Sequence, residues 1–100
     1  MLLKISDGNG GWHLFDNIDR AYMIATRKTV KSIEELNRLL LVDDNLISLV
    51  AKEAFSHAPI DVGVIEYVKE NGAKGNVMFT KVAYFCNADG HTIEKMQVGR

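Results

Sequence analysis

Three clusters of glycine, asparagine and aspartate interrupt the apolar runs of this chain, and they constrain its fold more than any other feature. The clusters are Asp7-Gly8-Asn9-Gly10-Gly11, Asn71-Gly72-Ala73-Lys74-Gly75 and Ala88-Asp89-Gly90-His91. Glycine and asparagine tolerate positive φ angles, which tight turns between antiparallel strands require. The sequence therefore predicts hairpins at these positions, with short strands on either side.

The predicted strands fall into two groups, one at each end of the chain. The first group comprises Leu2 to Ile5, Trp12 to Phe15 and residues 20–28, with a further turn at Asp16-Asn17. The second group is rich in β-branched and aromatic residues, which favour strands. It comprises Val62 to Glu70, Asn76 to Asn87 and Thr92 to Val98.

Between these groups the apolar residues adopt helical spacing. Ser32-Ile33-Glu34-Glu35 is a capping box, and apolar residues follow it at helical intervals up to Leu40. Asp43-Asp44-Asn45 offers fresh caps, so a second helix is expected from there to about Phe55. We therefore expect one domain over residues 1–100, of the α+β class, with antiparallel strands in βββ-αα-βββ order and two helices packed on the sheet.

The charge balance and the single cysteine exclude several classes of protein. Twelve basic and thirteen acidic residues give a net charge of −1, which argues against a general nucleic-acid binder. Cys86 alone forms no internal disulfide and no zinc cluster of several thiolates, and it indicates a reducing compartment.

The start MLLKISD lacks the apolar core of a signal peptide, and no apolar run is long enough to span a bilayer. We expect a cytoplasmic protein that makes no membrane contact.

The glycine-rich stretch near the N-terminus does not match a phosphate-binding loop. Gly8, Gly10 and Gly11 lack the Gly-x-Gly-x-x-Gly spacing, and no Gly-Lys-Ser/Thr follows them. The histidines at positions 13, 57 and 91 are scattered, so neither a metal site nor a cofactor is expected. The sequence predicts a hairpin tip here.

A basic cluster, Arg20, Arg27, Lys28 and Lys31, allows two interpretations. It is either a solvated strand end or a site for a phosphorylated ligand, since guanidinium groups bind phosphate through paired hydrogen bonds. Aromatic residues in the strands are mostly expected in the core, although one on an outer face can stack on a base. Trp12 and Cys86 are also candidates for purely structural roles. The predicted ligand-binding set is Trp12, Arg20, Arg27, Lys28, Asn87 and His91.

Four consecutive apolar residues, Leu39 to Val42, end the first predicted helix. A helix cannot point all four towards one core. This surplus of apolar surface predicts a homo-oligomer, at least a dimer.

The segment VAYFCNADGHTIEKMQV, residues 82–98, consists of a strand, an Asn/Asp-Gly turn, Thr-Ile-Glu-Lys and a last strand. It resembles the tail of small phage-encoded accessory proteins, and GGWHLFDNI, residues 10–18, is similar to a segment of the same group. Such proteins include anti-defence sponges that sequester nucleotide signals without cleaving them. The resemblance implies a phage context and carries over no functional residue.

Three hypotheses for function follow. The first is a non-catalytic binding protein that captures a nucleotide-type ligand as a homo-oligomer, as a phage-encoded sponge would. The second is an inhibitor or adaptor that binds a host protein through a sheet edge or an apolar patch. The third is a small enzyme with Asp16, His13 or His91 as acid–base groups. The first leads because no spacing in the sequence is typical of a catalytic site.

Overall fold

The computed structural model of the chain describes residues 1–8, 10–51, 55 and 59–97, without the side chains of residues 24–28 and 97. This part of the chain contains one helix, α1 (Ile33–Val42). It also contains eight strands: β1 (Leu2–Ser6), β2 (Trp12–Phe15), β3 (Ile18–Val30), β4 (Leu46–Ser48), β5 (Ile60–Lys69), β6 (Lys74–Phe79), β7 (Val82–Cys86) and β8 (Thr92–Gln97).

The strands form two sheets, so the predicted βββ-αα-βββ arrangement with two helices on one sheet is wrong. Sheet A has the strand order β2-β1-β7-β8 and is antiparallel. Sheet B has the order β3-β5-β6-β4, and its strand β4 runs parallel to β6. The described chain is therefore mostly β, with a single helix.

Strand β4 stands where the sequence predicts the second helix to begin. The Asn45 amide donates to Asp43 Oδ1 at 2.9 Å and the Leu46 amide to the Asp43 carbonyl at 3.0 Å, so Asp43 closes a turn. The chain then pairs Leu46 with Asn76 in β6. A short apolar run does not distinguish helix from strand, and pairing with a distant strand decided the outcome. The predicted helix extends over residues 52–54, which lie outside the described residues.

The single strand predicted from Asn76 to Asn87 is two strands that belong to different sheets. It is interrupted at Thr80-Lys81, where the chain passes from β6 in sheet B to β7 in sheet A. A second crossing between the sheets follows β2. Its turn at Asp16-Asn17 is confirmed, since Asn17 adopts a positive φ of 55°.

Sheet B lies between sheet A and the helix. One core cluster joins the two sheets and includes Leu3 and Phe85 from sheet A with Ile65 and Phe79 from sheet B. The second cluster packs Leu36 of α1 on the opposite face of sheet B: Val30, Val62, Val64 and Met78. The described elements are thus layered sheet, sheet, helix, and α1 covers the part of the outer face of sheet B that carries the second cluster.

Two local predictions are confirmed in detail. The hydroxyl of Ser32 accepts a hydrogen bond from the Glu35 amide at 3.2 Å, and the Glu35 carboxylate accepts one from the Lys31 amide at 3.0 Å. The capping box therefore forms, with its return bond one residue before the cap. At the β1–β2 hairpin, Gly8 and Gly10 have φ angles of 83° and 89°, which only glycine adopts readily.

The C-terminal end of α1 leaves part of its apolar surface in solvent. Leu41 and Val42 are 80% and 86% exposed, as expected if four consecutive residues cannot all face the core. Among the described residues, no helix is long and apolar enough to cross a membrane.

Candidate functional site

A row of four side chains crosses sheet A on the side away from sheet B. Lys4 lies opposite Leu14 in β2 and opposite Tyr84 in β7, and Tyr84 lies opposite Lys95 in β8. Their strand neighbours Leu3, Ile5, Ala83 and Phe85 are buried between the sheets. Because side chains alternate along a strand, the row faces outward, and so does Trp12, two residues before Leu14. We call Lys4, Trp12, Leu14, Tyr84 and Lys95 the aromatic face.

Contacts on the aromatic face hold the indole of Trp12 in one orientation. The rings of Trp12 and Tyr84 meet edge to face, with centroids 5.6 Å apart and planes inclined by 61°. Lys4 Nζ lies 4.3 Å from the centroid of the Trp12 ring, within range of a cation–π interaction. Trp12 is nevertheless 42% exposed and Leu14 61% exposed. The face therefore presents an ordered aromatic group to solvent.

The two residues with predicted structural roles differ in their surroundings. Cys86 is buried, with 2% of its surface exposed, which confirms it as part of the core. The exposed indole of Trp12 does not fit a purely structural role. Its place on the aromatic face fits the alternative, membership of a binding site.

Arg20 lies on the other side of the molecule from Trp12. Its strand neighbours Ala21 and Met23 pack into the core between the sheets, so Arg20 points away from sheet A. Its side chain is 64% exposed, and Nη1 lies 3.2 Å from Asp19 Oδ2. For Arg27 and Lys28 the structure describes only the backbone, as part of strand β3, and not the side chains.

Asn87 and His91 form the turn between β7 and β8. Asn87 Oδ1 accepts hydrogen bonds from the amides of Asp89 (3.0 Å) and His91 (2.9 Å), and the Asn87 amide donates to the His91 carbonyl. The side-chain oxygen of Asn87 thus closes the turn. The turn directly follows Cys86, which pairs with Leu2 at one end of β1, whereas Trp12 pairs with Ser6 at the other end. Leu2 and Ser6 are about 13 Å apart along the strand. The structure brings neither Asn87 nor His91 to Trp12.

A second polar feature lies on sheet B, on the side of α1. Here Tyr22 Oη donates to Glu66 Oε1 at 2.5 Å, and Asn76 Nδ2 donates to Asp43 Oδ2 at 2.6 Å. A cavity of about 170 Å³ adjoins these groups and is lined by Asn45, Glu66, Lys74, Gly75 and Asn76. It is smaller than the roughly 300 Å³ at which small-molecule sites begin. Two of its polar side chains, Glu66 and Asn76, already have partners in Tyr22 and Asp43.

The Tyr22–Glu66 bond has an electrostatic consequence. A phenol that donates to a carboxylate loses that bond when it ionises, so Glu66 raises the pKa of Tyr22 above its ordinary value. Partial burial and the charge of Glu66 act in the same direction, and the Arg20 guanidinium opposes them. Tyr22 is therefore kept protonated and is a poor candidate for a base.

Four members of the aromatic face are absent from the predicted site: Lys4, Leu14, Tyr84 and Lys95. One signal was present in the sequence, because Lys4 stands between the apolar Leu3 and Ile5, as on the outer side of a half-buried strand. Leu14 and Tyr84 gave no such signal, since an apolar or aromatic residue in a strand is usually in the core.

Within the described residues, no group of three or more histidine, cysteine, aspartate or glutamate side chains is placed to hold a metal ion. His57 lies outside those residues.

Comparison of the chain with models of protein families, with curated proteins and with solved structures found no match.

Proposed function

We propose that this protein is a non-catalytic binding protein that holds a protein partner against the aromatic face. The observation that carries the proposal is the exposed indole of Trp12, fixed by Tyr84 and Lys4 beside the exposed Leu14. Tryptophan and tyrosine dominate the energetics of protein interfaces because they bury much surface at little cost in side-chain freedom. An indole that is already oriented lowers that cost further.

The shape and composition of the face favour a protein over a small molecule. Small-molecule sites are usually concave, whereas these residues lie across the open side of a sheet. Leu14 adds exposed apolar area that a polar ligand would not use. Lys4 and Lys95 lie in the same row and carry positive charge, so the partner surface is expected to be apolar at its centre and acidic at its edge.

A nucleotide-type ligand is a second candidate, favoured by the ammonium group of Lys4 at 4.3 Å from the Trp12 ring. A base stacked on an exposed aromatic side chain contributes about 1–3 kcal/mol, and a neighbouring lysine can pair with its phosphate. In this candidate Lys4 and Lys95 take the role assigned to Arg20 by the sequence. The phage-encoded anti-defence role that the resemblance implies belongs to this candidate.

A selection of displayed peptides tests the proposal. Peptides selected on the wild-type protein are measured against Trp12→Ala and, as a matched control, against Leu41→Ala, which removes an exposed apolar side chain from α1. We expect Trp12→Ala to weaken binding about 30-fold, as for a residue central to an interface, and Leu41→Ala to leave it unchanged. Equal effects of the two variants would contradict the proposal.

The second candidate is tested on the same protein by fluorescence. Trp12 is the only tryptophan, so its emission reports directly on the aromatic face. Titration with linear and cyclic nucleotides should leave the emission unchanged if the partner is a protein. Saturable quenching that weakens in Lys4→Ala would favour the nucleotide instead.

A further inference from the structure

The free edge of strand β2 has the properties of a strand-pairing site. Within the described sheets, β2 and β8 are the edges of sheet A, and β3 and β4 are the edges of sheet B. An edge strand presents backbone donors and acceptors with no partner, which makes it a template for another strand.

The hydrogen-bond pattern of the β1–β2 hairpin shows which groups of β2 point to the free edge. The Asp7 amide donates to the Gly11 carbonyl at 3.2 Å, which makes this the first hydrogen-bonded pair of the hairpin. Bonded and non-bonded pairs alternate in an antiparallel ladder. In the observed register, His13 and Phe15 therefore bond to β1, while the N–H and C=O groups of Trp12 and Leu14 point outward.

The other three edges carry features that hinder pairing. β8 contains Glu94 and Lys95 and has a register shift against β7 between Phe85 and Cys86. β3 has three register shifts along its pairing with β5, and β4 is only three residues long. Charges, irregular register and shortness all discourage association at an edge. β2, with the sequence WHLF, contains neither proline nor a lysine, arginine or carboxylate side chain.

We infer that β2 pairs in antiparallel orientation with β2 of a second copy, with Trp12 opposite the partner's Leu14 and a two-fold axis at His13. Sheet A then continues across the axis as one sheet of eight strands. This goes beyond the proposed function, because it concerns the edge of sheet A and gives its occupant.

Self-pairing fits because the free groups on β2 are self-complementary. Trp12 and Leu14 each offer one donor and one acceptor and are two residues apart, so two copies related by a two-fold axis form four backbone hydrogen bonds. In this register the exposed Trp12 side chain lies beside the partner's Leu14 on the outer face, as a cross-strand pair. The aromatic faces of the two copies become contiguous. The sequence-derived expectation of a homo-oligomer thus acquires an interface, distinct from Leu41 and Val42.

Light scattering on the full chain, over a range of concentrations, provides the first test. We expect a mass of twice 11.2 kDa for the wild type. Leu14→Pro removes an N–H that the fold does not use, and Leu14→Lys places a charge on the edge, so each should give monomers with an unchanged circular dichroism spectrum. Ile93→Lys is the matched control: Ile93 is 60% exposed against 61% for Leu14, on the opposite edge of the same sheet, and this variant should remain a dimer.

Cross-linking tests the register. Across the axis the Cα atoms of His13 and the partner's His13 would lie about 4.5 Å apart, within the range of a disulfide. The two Leu14 residues would be diagonal neighbours at about 7–8 Å, too far for one. Under mild oxidation His13→Cys should give a covalent dimer and Leu14→Cys should not, while the buried Cys86 stays free.

The outcomes that would overturn the inference are specific. A wild-type protein that stays monomeric at high concentration would overturn the inference. It would leave the β2 edge open to an extended peptide. Dimers that persist in both folded Leu14 variants would place the interface elsewhere. Cross-linking of Leu14→Cys in preference to His13→Cys would exclude the register.

Discussion

Strands β1 and β5 show how differently the two sheets are covered. In β1, Leu3 and Ile5 are buried while Lys4 between them is not, so one face of sheet A packs and the other is open. In β5, Val62 and Val64 pack towards α1, and Ile65 and Tyr67 pack towards sheet A, so this part of sheet B has packing on both faces. The difference lies in what is stacked on each sheet, since both have four strands.

The comparison explains why the candidate site lies on sheet A. A central sheet needs apolar residues on both faces and has little surface left for recognition. The outer side of sheet A is free of that requirement in the described part of the chain. Core packing therefore does not account for the exposed Trp12 and Leu14, and exposed apolar groups of this kind are typical of interaction surfaces.

The largest expected effect is a difference in stability between a variant at a covered position and a variant at an open one. Met78 lies between sheet B and α1 and is 1% exposed. Met78→Ala should lower the free energy of unfolding by about 2–5 kcal/mol, because the substitution leaves a cavity. Leu14→Ala should change the stability of the monomer by less than about 0.5 kcal/mol. Urea unfolding at low protein concentration measures both. Similar losses for the two variants would show that the outer face of sheet A is covered after all.

A substitution at Cys86 should change the stability of the protein without changing binding at the aromatic face. A buried hydroxyl without an equivalent partner costs about 1–3 kcal/mol, so Cys86→Ser should unfold at a lower urea concentration. Binding at the aromatic face should stay as in the wild type. Thiol labelling of the native protein should be slow, and fast labelling would show that the side chain is accessible.

The helix that covers sheet B depends on its cap. Ser32→Ala removes the acceptor of the Glu35 amide and should cost about 1 kcal/mol, whereas Ser32→Thr keeps a hydroxyl and should cost less. Urea unfolding compares the two variants directly. If the two variants lose the same free energy of unfolding, the hydrogen bond from the Glu35 amide to the Ser32 hydroxyl does not stabilise the helix.

The smallest expected effect is on the titration of Tyr22. Its pKa is raised by Glu66, so the bond stabilises the fold below the ordinary tyrosine pKa of about 10 and is lost as the pH rises through the raised value. Glu66→Gln should lower this pKa in an NMR titration of labelled tyrosine. Asp61→Asn is the control, because this carboxylate, also on β5, accepts from Thr29 instead. A Tyr22 pKa that does not change in Glu66→Gln would show that the bond is absent in solution.

Much of the local structure was predictable from neighbouring residues, but the candidate site was not. Of the aromatic face, the predicted site contained only Trp12. Tyr84 and Lys95 join it because β7 crosses to sheet A and pairs between β1 and β8. Arg20, the centre of the predicted phosphate site, lies on the opposite side of the two sheets, because the chain changes sheet at Asp16-Asn17.

The sequence by itself determined the hairpin at Gly8 and Gly10, the turn at Asn17 and the cap at Ser32, because φ preferences and short-range hydrogen bonds act within a few residues. The tertiary structure alone decided that Leu46–Ser48 is a strand and that Trp12 is exposed. Both outcomes depend on partners far along the chain: β6 for the first, and the stacking of sheet A on sheet B by only one face for the second. A local apolar pattern carries no information about which distant segment will cover it.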